Sequence, residues 1–403
     1  MTVVIIGAGP TGASLALLLI RHGITVKLVE ASRDFHRLFR GEGLMPSGLA
    51  ALEQMDLLKL LPDIPHQSID AWEFILGGKT LFRVDEPIEK QGHHCTTVSQ
   101  PYLLEAIVQK AHTYAQFEFI QGQAVKELLI TQERISGVQL ADGSQISADL
   151  VIAADGRNSV IRKKAGLSLT KFQNSIDILW FKLNSGNLQQ SANVFYSIIQ
   201  GKDSFGLFRA SEGQLHLGWG LHADDNYDWQ TVDWAKKLIE TAPVWLAEHI
   251  KIHQHSLTKP MLLSVVVGRC DRWWQPGLLL LGDAVHPMSP IRAQGINMAL
   301  RDAIVAANHL VPRLTQEVDY SAIDTCLSLI QQEREPEIIR IQQLQAQEMA
   351  QAELLHRSAV VRWGAKTFRS ILRPGIRASW LRRQKQLRLG VTNVSLSPQN
   401  LDS

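Results

Sequence analysis

VVIIGAGPTGASLALLLIRHGITVKLVE, residues 3–30, decides the fold. An apolar run ends in a glycine-rich turn, a helical pattern follows with Gly23 just past its end, and a second, largely apolar run closes on Glu30. Runs of this kind belong to strands buried on both faces of a parallel sheet, so the stretch reads as strand, helix, strand. Gly7, Gly9 and Gly12 form G-x-G-x-x-G directly after the first strand and at the opening of the helix. Gly7 permits the tight turn, Gly9 lets the backbone approach a pyrophosphate, and Gly12 allows helix and strand to pack closely. The helix start, at Pro10 and Thr11, brings the unpaired amides of the first turn, Thr11 onward, to the same anion. Glu30, followed by Ala31, ends the second strand, where a carboxylate accepts hydrogen bonds from ribose hydroxyls. A dinucleotide is expected, and the spacing leaves NAD and FAD open.

The chain has 403 residues, 45% of them hydrophobic, enough for a substantial core and two or three domains. Lys and Arg number 41 against 39 Asp and Glu, a net charge of +2, so no global field recommends nucleic acid or an anionic membrane as partner. Cys95, Cys270 and Cys326 are widely separated. They suit neither a disulfide framework nor a zinc site, which points to a reducing cytoplasm and no metal. The N-terminus carries no basic leader, and apolar runs such as Ala13 to Ile20 are too short to span a bilayer, so a soluble protein without integral membrane contact is expected.

Beyond Glu30 a polar loop with Arg33, Arg37 and Arg40 leads to MPSGLAALEQMDLLKLL, whose apolar positions repeat at helical spacing. Short strands are expected over 72–98 around Gly77-Gly78, a helix from Gln100 to Ala115, and a hairpin at Asp142-Gly143. Residues 172–266 change character. Strand-like stretches follow one another with polar turns, then a helix near 231–249, as in an inserted antiparallel sheet. GLLLLGDA at 277–284 returns to a buried strand, and INMALRDAIVAANHLV is a strong helical pattern. From about Ala322 the chain is mostly helical and increasingly basic, with Pro336 expected to interrupt one helix and Pro374 to mark a break. Two further strands end in turns that carry polar side chains. One gives Asp155-Gly156 with Arg157, Ser159 and Arg162 after it, the other Gly282-Asp283.

In this order the three turns resemble the fingerprints of FAD-dependent aromatic-ring hydroxylases of the para-hydroxybenzoate hydroxylase type, over most of residues 1–330. Gly7, Gly9, Gly12 and Glu30 match that family's ADP-binding motif. Asp155-Gly156 with Arg162 matches its second fingerprint, implicated in FAD and NAD(P)H binding. Gly282-Asp283, with His286, Pro290, Gly295, Ile296 and Asn297, matches the third, which embraces the ribityl chain and isoalloxazine ring. Arg40 and Gln100 fall where the family commonly places flavin-contacting residues. The resemblance implies an α/β fold: a Rossmann-type FAD-binding domain, glutathione-reductase-like, over 1–73, 97–171 and 267–330. A substrate-binding antiparallel sheet over 74–96 and 172–266 interrupts it, and a helical segment over 331–403 ends the chain. It also implies FAD as cofactor, NADH or NADPH as electron donor, and dioxygen and an electron-rich, aromatic or polyketide-like small molecule as substrates of a monooxygenase working through a flavin hydroperoxide. A monomer or homodimer is expected. The nearest alternatives are a prenyl-reductase-like flavin reductase or dehydrogenase, and a non-catalytic FAD-binding redox sensor.

Physical chemistry adds one independent expectation. A helix beginning near Gly295 aims its positive end at the turn, suited to the anionic pyrimidine edge of a reduced flavin, with Asp283 placed to accept ribityl hydroxyl protons. His286 is a candidate catalytic residue and reads equally as a histidine satisfied by backbone in a tight turn. Arg292 and Ala293 stand where many relatives carry glycines, so Arg292 either pairs with an anionic substrate or a flavin carbonyl, or points to solvent. Along SFGLFRASEGQLHLGWGLH, alternation puts Phe205, Leu207 and Arg209 on one face with Leu217 and Trp219. Arg209 and Trp219 are candidates for binding a carboxylate and an aromatic ring, with Phe181 and Tyr196 behind them, although aromatic strand residues are more often core. The C-terminal RSILRPGIRASWLRRQKQLRLG holds seven cationic residues in 22 positions. It reads as a helix covering the nucleotide domain, or as a basic face for an anionic membrane or partner.

Overall fold

The computed structural model describes residues 1–35, 42–89, 92–172, 176–188, 192–222 and 228–398. Thr2–Ile6, α1 (Pro10–Arg21) and Thr25–Glu30 form the expected strand, helix, strand unit, with the two strands parallel. They sit inside a six-stranded sheet ordered Trp274–Gln275, Leu278–Leu280, Leu150–Ala153, Thr2–Ile6, Thr25–Glu30, Phe117–Gln121. All neighbours are parallel except Trp274–Gln275, which runs antiparallel to Leu278–Leu280. Its inner strands are buried on both faces, as their unbroken apolar patterns require. α2 (Pro46–Gln54) follows the glycine unit, and α3 (Gln100–Ala111) packs beside α1. Val125–Thr131, Arg134–Leu140 and Gln145–Ser147 make a small antiparallel sheet, in which Gly143 turns with φ +89°. After Leu150–Ala153 comes the short α4 (Val160–Lys164).

A second sheet of seven strands is ordered Met261–Leu263, Asp177–Leu183, Leu215–Leu221, Asp203–Arg209, Val194–Gln200, Ala71–Leu76, Lys79–Asp85. It is antiparallel except where Val194–Gln200 lies parallel to Ala71–Leu76. One face is covered by α5 (Trp234–Thr241) and α6 (Val244–His253). These two replace the single helix expected over 231–249, because Pro243 lacks the donor a continuous helix needs and pushes Ala242 into extended backbone.

α7 (Gln294–Leu314) crosses the nucleotide sheet against α1, and α8 (Tyr320–Arg357) packs on α7. α8 runs through Pro336, and α10 (Arg369–Leu389), after the short α9 (Ala359–Thr367), runs through Pro374. The expected interruptions do not occur. Each proline removes one backbone hydrogen bond, and at Pro336 the buried side chains of Arg334 and Glu337 on either side anchor the helix against α7. Among the described residues no helix is long and apolar enough to cross a membrane.

Candidate functional site

The three turns converge at the C-terminal ends of adjacent parallel strands, the edge at which open α/β sheets bind ligands. A Cβ on Gly7 would lie 2.4 Å from the carbonyl oxygen of Ala154, one on Gly12 2.0 Å from that of Gly7, and one on Gly282 2.6 Å from the Thr11 hydroxyl. These glycines make the close approaches that join the turns. At Gly9 the space is open, leaving room for a ligand beside the start of α1, where no side chain caps the amides. Pro10 opens that helix and Ala31 is exposed past the strand end.

Glu30 is buried, and its two carboxylate oxygens accept from the backbone N–H groups of Ala8 (2.9 Å) and Ser32 (2.8 Å). It therefore shapes the glycine turn. A carboxylate has about four acceptor sites, so it keeps capacity for ribose hydroxyls. Asp155 accepts from Val160 and Ile161 N–H through one oxygen, while the other is buried with no hydrogen-bond partner among the described residues. Burial raises its pKa. The Gln100 side-chain oxygen at the start of α3 is likewise buried and unpartnered. Orphaned acceptors beside an open glycine cradle fit a bound group rich in hydroxyls and amides, as FAD is. Asp283 is exposed, 3.7 Å from where a Cβ on Gly295 would sit, and the adjacent glycine keeps that approach clear. Gly156 turns with φ +81° over open space. Arg40 lies outside the described residues.

Several expected contacts resolve into supports of the turn itself. Arg162 donates to the carbonyls of Ala284 (2.5 Å) and Arg157 (3.1 Å), tying the second turn to the third. The Asn297 side chain accepts from Met45 N–H (2.8 Å) and donates to the carbonyls of Gly43 and Ala293, so its amide is committed to backbone. The amides of Gln294, Gly295 and Ile296 have no intrahelical acceptor, and Ala293 precedes them in the left-handed conformation after Pro290. Positive helix end and open amides thus face the turn, as the sequence implied. His286 is fully buried, with Nε2 2.8 Å from Asp302 and its ring against Trp273. Asp302 also accepts from Gly282 N–H and from Arg334. His286 therefore anchors the turn from below, through a carboxylate and not through backbone.

Arg292 does not point to solvent. It sits at φ +59°, pairs with Glu348 of α8 at 3.0 Å, and holds its guanidinium over Trp72, Phe74 and Trp380 at 5.2, 5.7 and 5.3 Å. An aromatic cage with a buried carboxylate satisfies a desolvated guanidinium better than an open ring edge. Trp219 takes the core reading and not the substrate-binding one. It is completely buried, stacked on Phe205 and edge-on to Trp234 of α5. Phe181 shares that core, and Tyr196 packs on Trp245 of α6. Arg209 points to the same side and lines a cavity of about 470 Å³ at the sheet's end with Lys182, Glu212 and Gln214.

The face turned toward the nucleotide domain is the opposite one. Trp180, Phe195, Phe208 and His216 form a continuous aromatic surface, with ring centroids 5.4 to 6.0 Å apart. Phe195 and Phe208 pack in the same cluster as Met45 and Ala293, beside the start of α7. Gly218 and Gly206 make room: a Cβ on either would meet Trp180 at 2.7 Å or Phe195 at 3.2 Å. Glycine at alternate strand positions was the overlooked signal for this face. Burial pulls the His216 pKa down to about 3, so its imidazole is neutral. At the rim Glu42 accepts from the N–H and hydroxyl of Ser211, and burial raises its pKa.

The sequence profile of the family described as "FAD binding domain" matches residues 1–337. The chain is 30% identical to 6-methylpretetramide 4-monooxygenase of Streptomyces rimosus, over 92% of this chain and 91% of that one. It is 24% identical to rifampicin monooxygenase of Streptomyces venezuelae, over 83% and 68%. Among solved structures, p-nitrophenol 4-monooxygenase PnpA of Pseudomonas putida superposes with a TM-score of 0.78 at 16% identity, over 96% and 98% of the two chains. PqsL of P. aeruginosa, in complex with 2-aminobenzoylacetate, superposes with a TM-score of 0.76 at 21% identity, over 89% and 97%.

Proposed function

The chain belongs to the FAD binding domain family, as an FAD-dependent monooxygenase of the aromatic-ring hydroxylase type, and from that premise we propose that it hydroxylates a flat aromatic or polyketide-like molecule seated between the seven-stranded sheet and the start of α7. The observation that carries this reading is the aromatic face of Trp180, Phe195 and Phe208 with neutral His216, packed beside Ala293. Rings stack on such a surface, and a neutral imidazole exchanges hydrogen bonds with a phenol or carbonyl without demanding a counter-charge. The 6-methylpretetramide enzyme, matched over nearly the whole chain, supports a polycyclic substrate.

When bound, FAD accepts electrons from NADH or NADPH and activates dioxygen, and the protein's part is binding, orientation and exclusion of water. The amides opening α1, with Gly9 as the open approach, would hold the pyrophosphate, and Glu30 the adenosine ribose. Asp283 would accept from the ribityl chain, and the amides opening α7 would stabilise negative charge on the flavin pyrimidine edge. The division into nucleotide segments 1–73, 97–171 and 267–330 and substrate segments 74–96 and 172–266 belongs to the same proposal.

The test is turnover of the FAD-loaded protein with NADH and NADPH against a panel of polycyclic and simple phenols, following oxygen uptake and product mass. Products carrying one added oxygen are expected. Products lacking it, with the electron donor still consumed, would replace this reading with a reductase.

A further inference from the structure

Between Glu353 and Asp402 the sequence holds ten Lys and Arg and no acidic residue. Two of the ten are spent inward. Arg383 pairs with Glu348, and Arg388 pairs with Glu86 and Glu89. Lys366, Arg369, Arg373 and Arg377 have no ion pair among the described residues, and Lys366, Arg373 and Arg377 are exposed. Among them stand large apolar side chains that the described residues leave largely uncovered: Val360 76% exposed, Trp363 62%, Phe368 48% and Ile371 75%, with Leu372 beside them. Val360 and Trp363 are three residues apart on α9, and Ile371 and Leu372 follow Phe368 by three and four, so each group shares a helix face. The edge-on contact of Trp363 with Phe368, centroids 6.0 Å apart, joins the two groups into one corner.

An exposed aromatic and aliphatic cluster ringed by unpaired cations combines what an interfacial helix needs: apolar area to bury among acyl chains, and charge to meet acidic headgroups. We propose that the α9–α10 corner docks reversibly on an anionic lipid surface. The far half of α10 is fixed to the catalytic body, since Trp380 is buried against Trp72, Phe74 and Phe82. Docking therefore holds the whole enzyme at the surface in one orientation. The charge pattern favours lipid over a second copy of the chain, because two such corners would repel.

The test is co-sedimentation of the FAD-loaded enzyme with vesicles of phosphatidylcholine alone or with phosphatidylglycerol, together with its mass in solution. Binding to the phosphatidylglycerol vesicles is expected, lost at high salt and absent with phosphatidylcholine alone. The pair Trp363→Ser and Ile371→Ser should abolish it while melting and turnover stay unchanged. Arg369→Gln, Arg373→Gln and Arg377→Gln should each weaken it about fivefold. Failure to bind, equal binding to both vesicles, or a dimer that Trp363→Ser dissociates would overturn the proposal.

Discussion

Asp283 and Glu30 show how much one carboxylate's surroundings decide. Glu30 already accepts two backbone N–H groups, so its loss would disturb the glycine turn as well as the ligand. Asp283 is exposed beside Gly295, and its loss should be read chiefly in the ligand. Asp283→Ala is expected to weaken FAD binding by about 1–3 kcal/mol, a roughly 5- to 150-fold rise in Kd by flavin fluorescence, with an unchanged circular dichroism spectrum. The two faces of the seven-stranded sheet supply a second contrast. Trp219→Ala empties a site in the closed core and should cost about 3–5 kcal/mol of stability in chemical denaturation without a specific effect on KM. Phe208→Ala removes a ring from the face beside Ala293 and should raise KM about tenfold with little change in stability. The reverse pattern would return the substrate to the helix-covered side.

The helices beyond residue 330 do more than cover the nucleotide domain. Gln345 of α8 donates to the carbonyls of Ser289 and Ile291 at 2.8 and 2.7 Å. Gln294 donates to the carbonyls of Arg292 and of Leu387 near the end of α10. With the Arg292–Glu348 pair, these bonds hold two consecutive non-glycine residues, Arg292 and Ala293, at positive φ. Such backbone costs of order 1–3 kcal/mol per residue and persists only where its surroundings over-determine it. Gln345→Ala should therefore lower FAD affinity several-fold while Tm falls only a few degrees. A larger loss of Tm than of affinity would make Gln345 a general packing residue.

Across the molecule, α7 and α8 are joined through a buried cluster in which Arg301 and Arg334 meet Asp302 and Glu337. Burial opposes charge on Glu337, yet Arg334 and Arg301 hold its pKa down at about 2. A depressed carboxylate pKa contributes stability that is present above the ordinary value of 4.5 and is lost as pH falls toward 2. Tm of the wild type should fall across that window. Glu337→Gln, which leaves two arginines poorly compensated, should cost about 3–5 kcal/mol at neutral pH and flatten the acid-side slope. An unchanged slope would assign the acid sensitivity to other groups.

The sequence by itself determined the nucleotide side of this protein. Its glycines, its strand-ending acids and their order are local patterns with local causes: a tight turn that favours glycine, and open helix amides that suit an anion. Even the opening of α7, expected near Gly295 and found at Gln294, was legible in this way. What lay across the fold was not. Alternation along 203–221 puts Phe205, Leu207, Leu217 and Trp219 on one face and Phe208 and His216 on the other, and only the packing of α5 and α6 on the first decided that Phe208 and His216, and not Trp219, look toward the α7 turn. Arg292 found its cage in residues from 72 to 380, and Asn297 and Arg162 spent their side chains on backbone more than a hundred residues away. A side chain's partner in three dimensions is set by which surfaces the whole chain brings together, and periodicity within one segment carries no information about the segment that will cover it.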